Sequence, residues 1–165
     1  MAQAWQLQLP APRSTDPSHW RVLVLARHPL ATASQAVRGA LDEATERLRR
    51  AGSTITHADA LPSGLLPDLA HLHGTYLRYV QTVLGAFEPG ATTDMTAHEW
   101  IRLVAERGRL RGQCFTLLEQ FDAVLAPAFG CAAFAHDEQP DWERRVLTID
   151  GAPTPYGAQG AWSSL

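Results

Sequence analysis

The sequence predicts an α/β fold: a short parallel or mixed sheet with crossover helices, in a single domain spanning residues 1–165. Three observations carry this. Arg21-Val-Leu-Val-Leu-Ala26 and Ala123-Val-Leu-Ala-Pro-Ala128 are short continuous apolar runs, as strands covered on both faces require. Between them, residues 33–51 repeat apolar side chains at helical spacing. A second β-branched run, Ser53-Thr-Ile-Thr-His-Ala-Asp59, then completes strand, helix and strand within about forty residues, so these strands should be parallel with a right-handed crossover.

Taken in order, residues 1–20 are polar and broken by Pro10, Pro12 and Pro17, which predicts an extended lead-in. Residues 21–60 form the βαβ unit. Its helix carries Ala33, Val37, Leu41, Ala44 and Leu48 on one face and Arg38, Asp42, Glu46 and Arg49 on the other. Thr32 or Ser34 supplies the N-terminal cap, and Gly52 provides the left-handed residue after the last turn. Residues 61–128 are a helical region closing on a strand. Pro67 suits the first turn of a helix marked by Leu69, Leu72, Tyr76, Tyr79, Val80 and Val83 and ending near Gly85. Glu88-Pro89-Gly90 predicts a turn. Thr96 and Glu99 form a capping box, opening a helix that holds Trp100, Ile101, Val104, Phe115, Leu118 and Phe121, weakened by Gly108 and Gly112. Residues 129–165 read as a loop-rich tail with one strand at Val146–Asp150 and a turn at Gly151-Ala-Pro-Thr-Pro155.

Composition narrows the function. The net charge is −3, which gives no electrostatic footprint for nucleic acid. No apolar stretch approaches the ~20 residues of a membrane helix, and the N-terminus lacks the basic-then-apolar pattern of a signal peptide. The 2 cysteines, Cys114 and Cys131, form no disulfide framework, so a reducing, cytoplasmic setting is expected. All 14 basic residues are arginine. A lysine base, a Schiff-base lysine and a P-loop lysine are therefore excluded for this chain.

No catalytic group is assigned. None of the serines lies in a Gly-x-Ser-x-Gly elbow. Cys114 falls in a helical pattern and reads as a buried, inert thiol, whereas Cys131 follows a strand and a Phe-Gly turn. His71 and His73, two residues apart on a helix, point in nearly opposite directions and do not share an ion, so no metal is expected. His136-Asp137-Glu138 reads as an exposed loop. Arg27-His28-Pro29-Leu30 stands where a glycine-rich phosphate cradle would follow the first strand, which argues against a dinucleotide cofactor. Arg102, Arg107, Arg109 and Arg111, interleaved with Glu99 and Glu106, read as a solvated helix face.

Four blocks of the chain nevertheless follow a recognisable order. The first is Ala4-Trp-Gln-Leu-Gln-Leu-Pro-Ala-Pro-Arg13, with Trp20-Arg-Val-Leu-Val-Leu and His28-Pro29 after it. The second runs from Val37 to Gly52. The third is Phe121-Asp-Ala-Val-Leu-Ala-Pro127 followed by Ala133-Phe-Ala-His136-Asp137. The last is Arg145-Val-Leu-Thr-Ile-Asp-Gly151, then Pro155-Tyr156-Gly and Trp162. In this order the sequence resembles the C-terminal portion of amidase-signature hydrolases. The resemblance implies an α/β/α fold and, in an intact protein, hydrolysis of a small-molecule amide by a nucleophilic serine, a relaying serine on a cis peptide and a lysine. Neither the Gly/Ser-rich signature nor any lysine is present, and Ser163-Ser164 lack the signature's glycines. The chain is therefore expected to be inactive alone. Phe129, Gly130 and Cys131, just past a strand, are the residues expected to line the substrate pocket of the intact protein, since ligands of open α/β sheets bind at strand ends. The resemblance implies two occupants for an uncovered face: the missing catalytic core, or a second copy in a homo-oligomer. The alternative is a freestanding, non-catalytic binding or interaction domain derived from an amidase.

Overall fold

The computed structural model describes residues 14–85, 95–141 and 144–164. Its centre is strand β1 (Arg21–Val24), in which Val22, Leu23 and Val24 are all buried. β1 is the central strand, lying between two parallel neighbours, β2 (Thr54–His57) and β3 (Ala123–Leu125), in the order β2-β1-β3. Val22 sits opposite Ile55 on one side and Ala123 on the other. The Asp122 carboxylate fixes this register. It accepts the Arg21 backbone amide at 2.9 Å and the Arg21 guanidinium at 3.0 and 3.1 Å.

Alternation along β1 divides the core into two layers. Val22 and Val24 meet Leu41 and Leu48 of helix α1 (Gln35–Arg50), together with Ile55 and Leu125. Leu23 points the other way, onto Leu117 and Phe121, and Leu25 packs with Leu69, Leu72 and Leu110. Those partners come mainly from helices α2 (Leu69–Gly85) and α3 (Ala97–Leu118). The expected α/β class is thus realised as three layers, with α1 on one face of the sheet and the α2/α3 pair on the other. Each fully buried Val or Leu contributes about 1.5–3 kcal/mol.

Local chemistry explains the element ends. Of the two candidate caps for α1, Ser34 performs the role, its hydroxyl accepting the Val37 amide at 3.2 Å. Gly52 has φ +94°, and a Cβ there would stand 3.0 Å from Ser18 Cβ. That close approach brings the described end of the lead-in onto the α1–β2 junction. Residues Pro17–His19 form a 3-10 turn capped by Asp16, and Ser53 Oγ donates to the Pro17 carbonyl at 2.7 Å. This corrects the extended lead-in for residues 14–20; residues 1–13 lie outside the described residues, as does the turn expected at Glu88–Gly90.

Pro67 precedes α2 instead of occupying its first turn. Asp68 is the residue that caps it, its Oδ1 accepting the Ala70 and His71 amides at 3.0 and 3.1 Å. The Thr96/Glu99 capping box opens α3 as expected. The helix runs unbroken through Gly108 and Gly112, because Leu103, Leu110 and Leu117, seven residues apart, anchor its inner face. Ile101, Val104, Phe115 and Leu118 lie on its exposed side.

The tail departs furthest from expectation. Val146–Ile149 is strand β4, but Ala152–Pro155, expected as a turn, is its antiparallel partner β5. The turn is Asp150-Gly151, both at positive φ (50° and 82°), the two-residue geometry that joins hairpin strands. The Tyr156 amide donates to the Arg145 carbonyl at 3.0 Å, so alternation puts Pro153 and Pro155 at non-hydrogen-bonded positions, where a missing N–H costs the ladder nothing. A 3-10 helix, Gly157–Ser163, then buries Gln159, Ala161 and Trp162, the last two against Ala31, Ala33 and Val37. Among the described residues no helix is long and apolar enough to cross a membrane.

Candidate functional site

Parallel strands deliver their following loops to one end of the sheet, and that end is where this chain gathers its polar chemistry. A cavity of about 270 Å³ opens there. Its floor is Leu25, Ala26 and Pro29, and Arg27, His57 and Asp59 supply charge and hydrogen-bonding capacity around it.

Beside the cavity stands a histidine cluster. His28 Nδ1 accepts the Leu30 amide at 3.1 Å, which leaves Nε2 to carry the proton of the neutral ring. The His28 ring meets His73 edge-on at 6.5 Å and Trp162 at 5.6 Å. His73 is itself buried, and its Nδ1 lies 2.7 Å from Ser164 Oγ. Burial lowers the pKa of both histidines, and the neighbouring His73 charge lowers that of His28 further. Both rings are therefore neutral at pH 7, and a neutral imidazole rests against a serine hydroxyl. Among the described residues no carboxylate bonds to His73, so the orienting third member of a triad is missing.

The 3-10 helix adds unusual groups to this end. Gln159 is fully buried, yet neither its amide nitrogen nor its oxygen has a hydrogen-bond partner, and the same holds for the Trp162 indole nitrogen. Buried polar atoms of this kind are uncommon in folded proteins, because each carries an uncompensated desolvation cost.

The three residues expected to line a pocket divide in role. Gly130 reaches the cluster: its carbonyl accepts the Ser34 amide at 2.6 Å, and a Cβ built on it would fall on the Gln159 amide and the Thr32 carbonyl. Phe129 instead stacks on Phe134 at 5.7 Å and leans on Tyr156 at 5.9 Å. Cys131 is half-buried in the same loop. None of the three is among the residues lining the 270 Å³ cavity.

The other polar residues singled out in the sequence lie apart. His71 and His73 diverge as expected: His71 is exposed and 2.6 Å from Glu106. Arg109 and His71 together hold the Glu106 carboxyl at about 2. Asp137 accepts the Gln139 amide within its loop. Cys114, expected to be buried and inert, is half-buried, and desolvation raises its pKa, so its thiol reacts slowly. The contact of His73 with Ser164 spans 91 positions, and no local spacing could have signalled it.

No protein-family model matches the chain, and no curated protein matches it.

Proposed function

We propose that this chain is the C-terminal segment of an amidase-family amide hydrolase and is not catalytic by itself. One observation carries the reading. Segments that resemble separate family blocks converge on the carboxyl end of the sheet: His28 touches Trp162, and Arg38 of α1 pairs with Asp150 at 3.3 Å. The chain would then furnish one wall of a pocket for a small amide, with Gly130 as its close-packed pivot. Nucleophile, relay and lysine would come from the remainder of the protein, since the chain has no lysine to offer. Unpaired Cys114 and Cys131 fit a reducing, cytoplasmic setting. The test is the coding DNA upstream of this segment. An in-frame region encoding a lysine and a Gly/Ser-rich signature is the expected result, together with no carboxamide hydrolysis by the purified chain. An in-frame stop codon with no such region, or hydrolysis that survives repurification, overturns the proposal.

The outer side of α3 favours a second reading, a freestanding interaction domain. Ile101 is 64% and Phe115 54% exposed, and Val104 and Leu118 continue the same stripe. Large apolar side chains in a row mark an association face. Sedimentation of the purified chain over a range of concentrations tests it. Self-association abolished by Ile101→Glu supports this reading, and a monomer at all concentrations removes a second copy as the occupant.

A further inference from the structure

A second cavity, of about 210 Å³, lies between α2 and α3 and reaches Ser164, whose hydroxyl stands beside His73. Leu72 and Leu110, both buried, and the half-buried Cys114 form its apolar wall. Arg107 and Arg111, one turn apart on α3, line it from the exposed side, and Ser164 completes it.

The two arginines differ from their neighbours. Arg109, between them in sequence, is committed to Glu106 at 2.6 Å. Arg107 and Arg111 have no carboxylate partner among the described residues. Their guanidinium groups lie over aromatic rings, Arg107 at 4.2 Å from the Tyr79 centroid and Arg111 at 5.1 Å from the Phe115 centroid. A guanidinium stacked this way is held by its flat face, and its in-plane N–H donors remain free to bind an anion. Two such donors beside an apolar wall suit a ligand with one negative charge and an apolar body. A fully hydrated inorganic anion would waste the wall, and an amine would be repelled.

We propose that this cavity binds a compact monocarboxylate, its apolar body against Leu72, Leu110 and Cys114 and its carboxylate on Arg107 and Arg111. The cavity shares no lining residue with the 270 Å³ cavity at the sheet end, and the proposal does not depend on the amidase reading.

The chain carries its own reporter and its own control. Cys114 is in the cavity wall and Cys131 is in the loop after β3. Alkylation of each thiol by N-ethylmaleimide can be followed by peptide mass mapping, with 4-phenylbutyrate as the probe. Saturable slowing at Cys114 with no change at Cys131 is expected. 4-Phenylbutylamine should give no protection, and 4-phenylbutanol much less. The double variant Arg107→Gln/Arg111→Gln changes only exposed side chains and should fold normally. It should weaken binding about tenfold or more, the loss expected for removing charge-assisted hydrogen bonds. Calorimetric titration with the same probe reads binding independently of thiol reactivity. Absence of saturable heat overturns the proposal. So does equal binding of the alcohol, or undiminished binding by the double variant.

Discussion

The Asp150 carboxylate accepts the Gln35 amide at 2.9 and 3.1 Å through its two oxygens, joining residues 115 positions apart. Asp150 also pairs with Arg38 at 3.3 Å while holding a left-handed backbone at the hairpin turn. A negative charge at the first turn of α1 satisfies a free backbone donor and complements the helix dipole. The hairpin is therefore anchored to the sheet domain through a helix end. Asp150→Ala should cost about 1–2 kcal/mol, from the lost cap and from strain at positive φ. Asp150→Asn, which tolerates that backbone and keeps an acceptor, should cost less. Urea unfolding midpoints decide it, and equal midpoints for the two variants would show that the contact is incidental.

Gly130 and Gln159 make a steric argument. Adding one methyl group at Gly130 drives it into the Gln159 side chain and the Thr32 carbonyl. Overpacking of this sort costs about 1–3 kcal/mol. Gly130→Ala should be destabilising by that amount, and Gln159→Ala in the same molecule should recover part of the loss. Gln159→Leu alone should be neutral or stabilising, because the amide it removes makes no hydrogen bond. A double-mutant cycle with no coupling energy would separate the two residues.

The pH dependence follows from the histidine pair. His28 and His73 have pKa values below their ordinary 6.5 in the folded protein, chiefly through burial. The unfolded chain then binds protons more tightly, so stability is constant above neutrality and declines as pH falls below about 6.5. His73→Gln should remove part of that slope and leave the His28 share. A second decline lies lower. Glu106 is held near 2 against an ordinary 4.5, so its contribution persists above 4.5 and is lost between 4.5 and about 2. Urea midpoints should be level from pH 7.5 to about 6.5 and fall from there to pH 5.0; a flat series throughout would mean that neither ring resists protonation.

The sequence disclosed the signals that act over a few residues. Apolar run length, helical spacing and a β-branched run marked β1, α1 and β2, and side-chain chemistry named the Thr96 cap and narrowed the α1 cap to Thr32 or Ser34. What it concealed depends on distant partners. Pro153 and Pro155 imply a turn until the register of β4 places them off the ladder. Gly130 reads as a loop residue until Gln159 closes on it, and His73 as ordinary packing until Ser164 arrives beside its ring. The apolar residues that mark α3 in the sequence, Ile101, Val104, Phe115 and Leu118, face outward, and the core side is instead Leu103, Leu110 and Leu117. Composition cannot tell these apart, since only the packing of α2 says which side is inside.

The same helix gives the most direct test of what holds it together. Gly108 and Gly112 are helical and exposed, and a Cβ at either meets nothing within 4 Å. Each lowers the helical propensity of α3 without packing in return. Gly108→Ala and Gly112→Ala should therefore each stabilise the fold by about 0.5–1 kcal/mol, largely by restricting the unfolded chain. Leu110→Ala, in the same turn but buried against Leu25, Leu69 and Leu72, should cost about 2–5 kcal/mol. If α3 owes its continuity to inner-face packing, the leucine variant will unfold at much lower urea and both alanine variants will unfold later than wild type. An alanine variant that unfolds earlier would show that the outer face needs glycine for close approach by another surface, and the stripe of Ile101, Val104, Phe115 and Leu118 would then be where to look for it.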